Sequence, residues 1–197
     1  MKHTLNVDEH NNHHQQHITE VATFGFWVYL MTDVILFGCL FATFLVLSSN
    51  VVPYKFDMSL VMKETLILLT SSFTFGLAMI NMHNKRMASV LFYLSITFIL
   101  GASFIYLELS EFRHLIHEGH SWSKNAYFSS FFTLVGTHGL HVSFGLLWII
   151  SVSIQIIMKG INEITIRKLT LLSLFWHFLD IVWIFVFSIV YLIGGLA

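Results

Sequence analysis

The chain has 197 residues, of which 56% are hydrophobic and only 11% charged, with a net charge of −1. Soluble domains carry about 25% charged residues, so this composition excludes an ordinary soluble globule. The near-neutral charge also excludes a nucleic-acid surface. A single proline, twenty phenylalanines and a mean hydropathy of +0.75 point instead to a polytopic membrane protein.

Residues 1–22 are polar and hold five of the twelve histidines, His3, His10, His13, His14 and His17. No basic stretch followed by a short apolar run and a small-residue cleavage site is present, so no cleaved signal peptide is expected. A His-rich tract can bind metal. The simpler expectation is a disordered, solvated cytoplasmic tail. The lone cysteine, Cys39, lies in an apolar run and can form no internal disulfide, so it says nothing of redox compartment.

A helix needs about 20 mainly apolar residues to cross a bilayer. Five segments qualify: 24–47, 60–82, 90–109, 128–158 and 171–196. Helix is the only choice, because an open strand edge leaves its backbone unsatisfied in lipid. The sequence therefore predicts an all-α, five-helix transmembrane domain over 23–197, with connections at 48–59, 83–89, 110–127 and 159–170 and no separate soluble domain or repeat. With the N-terminus cytoplasmic, that side carries six Lys or Arg (Lys2, Lys85, Arg86, Lys159, Arg167, Lys168) and the other side four (Lys55, Lys63, Arg113, Lys124). The bias favours N-in and C-out. Gly38 with Ala42, and Gly136 with Gly139 and Gly145, are small residues at spacings that let helices pack closely.

Polar side chains inside these spans carry the functional question, since each is costly in hydrocarbon unless it finds a partner. Asp33 lies about 14 Å into the first span. Glu64 is near the start of the second, with Lys63 able to snorkel. Glu108 and Glu111 end the third, ahead of Arg113 and His114, and read as an interfacial cap. His138 and His141 share one face of the fourth helix. His177 and Asp180 share one face of the fifth, and Trp176 and Trp183 line a neighbouring stripe.

Metal or haem ligation is one reading of the histidines. With the span ends above, His141 is about 25 Å from the cytoplasmic end of its helix and His177 about 9 Å from the same side. Axial ligands of one haem must be level, and these differ by about 15 Å. His138 and His141 alone lack the third and fourth ligands an ion needs. A proton relay is the second reading, because Asp33, His177 and Asp180 fall about 9–14 Å from the cytoplasmic side. A hydrogen-bonded joint that fixes helix register is the third, and the favoured one.

At these motifs the chain resembles the subunit III family of haem–copper respiratory oxidases. The resemblance rests on Phe24-Gly25-Phe26-Trp27, Asp33-Val34-Ile35-Leu36-Phe37, Ser110-Glu111-Phe112, Phe131-Phe132 with Gly136-Thr137-His138-Gly139-Leu140-His141-Val142, and Trp176-His177-Phe178-Leu179-Asp180-Ile181-Val182-Trp183. Within that family it is similar to the bacterial five-helix form of quinol oxidases, the bo-type ubiquinol oxidases above all. The resemblance implies a non-catalytic subunit of a proton-pumping terminal oxidase in the bacterial inner membrane. It implies that this chain binds no cofactor, while haem and copper sit in subunit I. It further implies packing on subunit I, association with subunits II and IV, bound phospholipid and support of proton uptake. Asp33 matches a membrane-buried carboxylate, usually Glu, that reacts with carbodiimide in some relatives. The rivals are a stand-alone transporter or channel using Asp33, His138, His177 and Asp180, and a cytochrome b-like haem protein. The lack of inverted repeats and of discontinuous helices counts against the transporter.

Overall fold

The structure, a computed structural model, describes residues 2–48, 58–83, 86–117 and 126–193. The expected connection at 48–59 and the expected span end at 196 therefore fall largely outside the described residues. So do the side chains of residues 1–19, with the five tail histidines among them. The elements are α1 Lys2–Ser48, α2 Met58–His83, α3 Met87–His117, α4 Ala126–Lys159 and α5 Glu163–Val186, the last running into a π-helical segment Phe187–Ile193. Five stretches are long and apolar enough to cross a membrane: Glu20–Ser48, Met58–Met82, Met87–His117, Ala126–Lys159 and Glu163–Tyr191. The protein is an all-α integral membrane bundle. Its α1 backbone is helical from Lys2, through the segment expected as a tail.

Besides α1, two more helices run well past the ends expected from the sequence. The predicted connection at 110–127 begins with two further turns of α3, which runs to His117 and buries Leu115. The predicted connection at 159–170 shrinks to three residues. Gly160 stops α4 at φ 72, a backbone conformation glycine adopts without penalty, and its N–H reaches the Ile156 carbonyl at 3.0 Å. The Asn162 amide donates to the Lys159 carbonyl at 2.9 Å, and α5 begins at Glu163, whose charge suits a helix N-terminus. Arg167 and Lys168, read as loop cations, lie on α5. Lys168 Nζ donates to Gln155 Oε1 of α4 at 3.0 Å, while Thr165 and Leu169 turn inward.

The chain divides into two compact units, Met1–Ile35 and Leu36–Ala197. In the first, the Thr32 hydroxyl donates back to the Tyr29 carbonyl at 2.6 Å, and Leu30 and Asp33 are buried. In the second, α2, α3, α4 and α5 neighbour one another in a closed ring, α5 returning to α2. Phe75, Val90, Leu94, Phe104, Phe131 and Leu172 are fully buried at its centre. The C-terminal part of α1 attaches through one aromatic row. Phe37, Phe41 and Phe44 meet the rings of His138 and His141, of Phe185, and of Tyr127.

The earlier start of α5 overturns the depth estimate. Trp176 packs against Gly145, and Trp183 lies beside His138, which fixes the antiparallel register of α4 and α5. His141 is then level with Asp180, and only about 5 Å along the axis from His177, instead of about 15 Å. His177 and Asp180 lie about 21 and 26 Å from the Glu163 end of their helix, not about 9–14 Å. Depth therefore no longer separates His141 from His177, and side-chain direction decides whether they could share a ligand.

Candidate functional site

Three side chains of α5 form a seam with α2. The Trp183 indole N–H donates to Thr65 Oγ1 at 3.1 Å, and the Trp176 indole N–H to Ser71 Oγ at 3.1 Å. His177 Nδ1 and the Ser72 hydroxyl are 2.6 Å apart. Thr65 and Ser71 also bond their own helix, Thr65 donating to the Val61 carbonyl and Ser71 to the Leu68 carbonyl. These two hydroxyls thus accept from the indoles of α5 while their own protons are already placed. Thr74 and Thr97 join α2 to α3 in the same manner at 2.8 Å. Such bonds contribute about 0.6–2 kcal/mol each in a membrane bundle. Asp180 is buried one turn after His177, with Oδ2 4.0 Å from Nδ1.

His138 and His141 do share a side of α4, yet they differ in surroundings. His138 is 0% exposed and caged by aromatic rings: Trp183 at 5.1 Å, Phe104 edge-on at 5.9 Å and Phe37 at 6.4 Å. Neither ring nitrogen has a hydrogen-bond partner among the described residues. His141 Nδ1 instead meets the Thr137 carbonyl at 2.7 Å, which can only accept, so that nitrogen carries the proton. His177 turns toward α2 while His138 and His141 turn toward α1 and α5, so the three do not converge. Among the described residues no group of three or more His, Cys, Asp or Glu is placed to hold a metal ion.

The carboxylates gather where the sequence reading placed only a cap. Glu64 of α2 is 0% exposed and Glu108 of α3 is 3% exposed. Glu108 and Glu111 are acidic neighbours of Glu64, and the Tyr191 hydroxyl donates to Glu111 Oε2 at 3.3 Å. The cap reading fails for Glu108, which points into the bundle because Gly139 of α4 leaves it room. A Cβ at Gly139 would stand 2.7 Å from both carboxylate oxygens. Both oxygens of Glu64, and Oε1 of Glu108, have no hydrogen-bond partner among the described residues.

Between α3 and α4 lies an open groove of about 460 Å³, with Glu108 and Gly139 in its wall. Of the predicted packing glycines, Gly139 and Gly145 make close approaches, to Glu108 and Trp176. A Cβ at Gly136 would stand 3.9 Å from Phe112, and one at Gly38 would meet no neighbouring side chain within 4 Å, Ala42 one turn on being also exposed. The sequence reading missed Gly101, whose Cβ position lies 2.8 Å from Leu146 and 3.0 Å from Trp176. It also missed Thr65, Ser71, Ser72 and Tyr191. Asp33 belongs to the first unit, one turn after its polar neighbour Tyr29.

Apolar helices joined by cross-helix hydrogen bonds define a membrane-spanning helix bundle. The family model for cytochrome c oxidase subunit III matches residues 3–195. Cytochrome bo(3) ubiquinol oxidase subunit 3 of Pseudomonas aeruginosa is 47% identical over 99% of this chain and 97% of its own. Quinol oxidase subunit 3 of Bacillus spizizenii is 43% identical over 94% of this chain and 96% of its own. Cytochrome c oxidase subunit 3 of Bacillus sp. strain PS3 is 43% identical over 86% and 84%. The chain belongs to the cytochrome c oxidase subunit III family.

Proposed function

We propose that the chain is the non-catalytic subunit III of a proton-pumping terminal quinol oxidase that takes electrons from ubiquinol. The observation that carries this is the end-to-end likeness to a relative named as a bo(3) ubiquinol oxidase subunit, over 99% of this chain. Haem and copper then belong to a partner, subunit I, with subunits II and IV completing the complex and phospholipid filling grooves in the bacterial inner membrane. The bundle stiffens that assembly. Its indole, hydroxyl and imidazole joints fix helix register, and its exposed apolar residues face lipid or partner chains. Arg167 and Lys168 remain near a helix end, so the Lys and Arg bias still supports a cytoplasmic N-terminus with the polar segment 1–22 on that side. A stand-alone transporter is not favoured, because His138 is sealed among aromatic rings and His177 turns away from it toward α2.

The test is purification of the tagged chain from its native membrane in mild detergent. Co-purification of a haem-bearing partner and quinol-dependent oxygen uptake are the expected results. A Soret band from the chain alone, or purification with no haem-bearing partner, would overturn the reading.

A further inference from the structure

We propose that the groove between α3 and α4 is a binding site for the head of a quinol, anchored by Glu108. The inference rests on the quinol-oxidase reading and adds a site to it. The groove is lined by Ile105, Phe112, Phe132 and Leu140 with Glu108 and Gly139 at its floor. At about 460 Å³ it falls in the size range of small-molecule sites, about 300–1,000 Å³.

Glu108 selects the ligand. Its side chain is 3% exposed, and Oε1 has no hydrogen-bond partner among the described residues. Two other hydroxyls of the wall are already engaged with their own helix: Thr133 donates to the Ser129 carbonyl at 2.7 Å and Ser143 to the Gly139 carbonyl at 2.8 Å, and Thr137 completes the polar lining. A ligand donor would meet the buried carboxyl oxygen of Glu108, and a buried acceptor left unmet costs about 1–3 kcal/mol.

Charge narrows the donor further. No Lys or Arg lines the groove among the described residues, so a phosphate headgroup would bring negative charge beside Glu108 with nothing to oppose it. An acyl chain would fill the space and leave Glu108 Oε1 unmet. Glu108 lies about 14 Å before the His117 end of α3. A quinol is neutral, carries two hydroxyl donors on a flat ring and trails an apolar tail. Phe112 and Phe132, at 4.9 Å and 61°, offer an aromatic corner to such a ring. Leu140, 72% exposed at the rim, gives the tail an apolar exit into lipid.

The experiment uses the intact detergent-purified oxidase and a photoactivatable azido-ubiquinol. The expected outcome is covalent label on residues 105–112 and 132–143 of this chain, competed by ubiquinol and not by phosphatidylglycerol or phosphatidylethanolamine. Glu108→Leu and Leu140→Trp each lower this label at least tenfold, a change of about 1.4 kcal/mol or more, whereas Glu108→Gln keeps it, because the amide oxygen still accepts. Should Glu108→Leu fail to assemble, the rim variant Leu140→Trp decides. Label confined to other subunits of an active, haem-bearing complex overturns this inference alone. Equal displacement by phospholipid, or label unchanged by Leu140→Trp, overturns it also. A chain that purifies with no haem-bearing partner overturns both this site and the oxidase reading.

Discussion

A methyl group on Gly139 would stand 2.7 Å from both carboxylate oxygens of Glu108. The glycine of α4 and the acid of α3 therefore occupy one space between two helices, and neither can be exchanged without the other responding. Gly139→Ala should drive the carboxylate out of its place at an overpacking cost of about 1–3 kcal/mol. The thermal midpoint of the purified complex should fall accordingly. Glu108→Ala in the same chain should recover part of the loss. Strictly additive effects of the two substitutions would show that the contact carries no energy.

Trp176 makes a second prediction. Its ring edge lies 3.0 Å from the Cβ position of Gly101 on α3 and 3.0 Å from that of Gly145 on α4. Gly101→Ala also meets Leu146 Cδ2 at 2.8 Å, so it should destabilise more than Gly145→Ala, within a range of about 1–3 kcal/mol. Trp176→Phe should relieve both clashes while losing the 3.1 Å bond to Ser71, a net loss of about 1 kcal/mol by itself. Denaturation midpoints of the single and paired variants give the ordering. Equal midpoints for the two glycine variants would contradict the packing described.

For His138 the expected direction is reversed. The ring is fully buried in an aromatic cage and its two nitrogens have no partner among the described residues. Replacing an unmet buried polar group by an apolar one of similar shape is neutral or stabilising, by up to about 1–3 kcal/mol. His138→Phe should thus assemble normally, with a thermal midpoint equal to or above the parent's. A lower midpoint with loss of oxygen uptake would mean that a buried water supplies the missing hydrogen bond.

The five spans were legible because uninterrupted apolar runs leave few alternatives to a helix. Their ends were not, because polarity was taken to mean loop: Glu163 to Thr170 holds Arg167 and Lys168, yet Thr165 and Leu169 are spaced to bury one side of a helix. That single misplacement moved His177 by about 12 Å and produced a depth argument the structure rejects. The His138 and Trp176–Asp180 motifs were visible as polar groups in apolar runs, whereas their partners were not. Ser71, Ser72 and Thr65 look ordinary until α5 lies against α2. Gly101, alone in its helix, has no spacing to mark it. The meeting of Glu64, Glu108, Glu111 and Tyr191 needs three helices in register, which no local pattern encodes.

The pair formed by His177 and Ser72 crosses α5 and α2 at 2.6 Å. A neutral imidazole and a hydroxyl can each donate or accept, so either single truncation leaves one group unmet. Ser72→Ala and His177→Phe should each lower stability by about 0.5–1.5 kcal/mol, and the double variant by less than their sum. Detergent half-life of the complex, measured for all three, reads the coupling. No coupling would remove this pair from the seam and leave the two indole bonds to hold it.

Asp33 is the remaining buried acid of α1, and the expectation for it concerns rate instead of stability. It is buried beside Tyr29, and no group among the described residues is placed to hold a metal. Asn preserves its shape and one carbonyl acceptor but cannot carry a proton at neutral pH. Asp33→Asn should therefore assemble with normal haem content. Its initial oxygen uptake should stay within roughly twofold of the parent, a change in barrier of under about 0.5 kcal/mol. A role in sustaining proton supply would show only later, as a faster loss of activity over many turnovers. If this variant abolished oxygen reduction from the first turnover while haem content and subunit association were normal, Asp33 would lie on an obligatory proton path and the structural reading of the residue would be wrong.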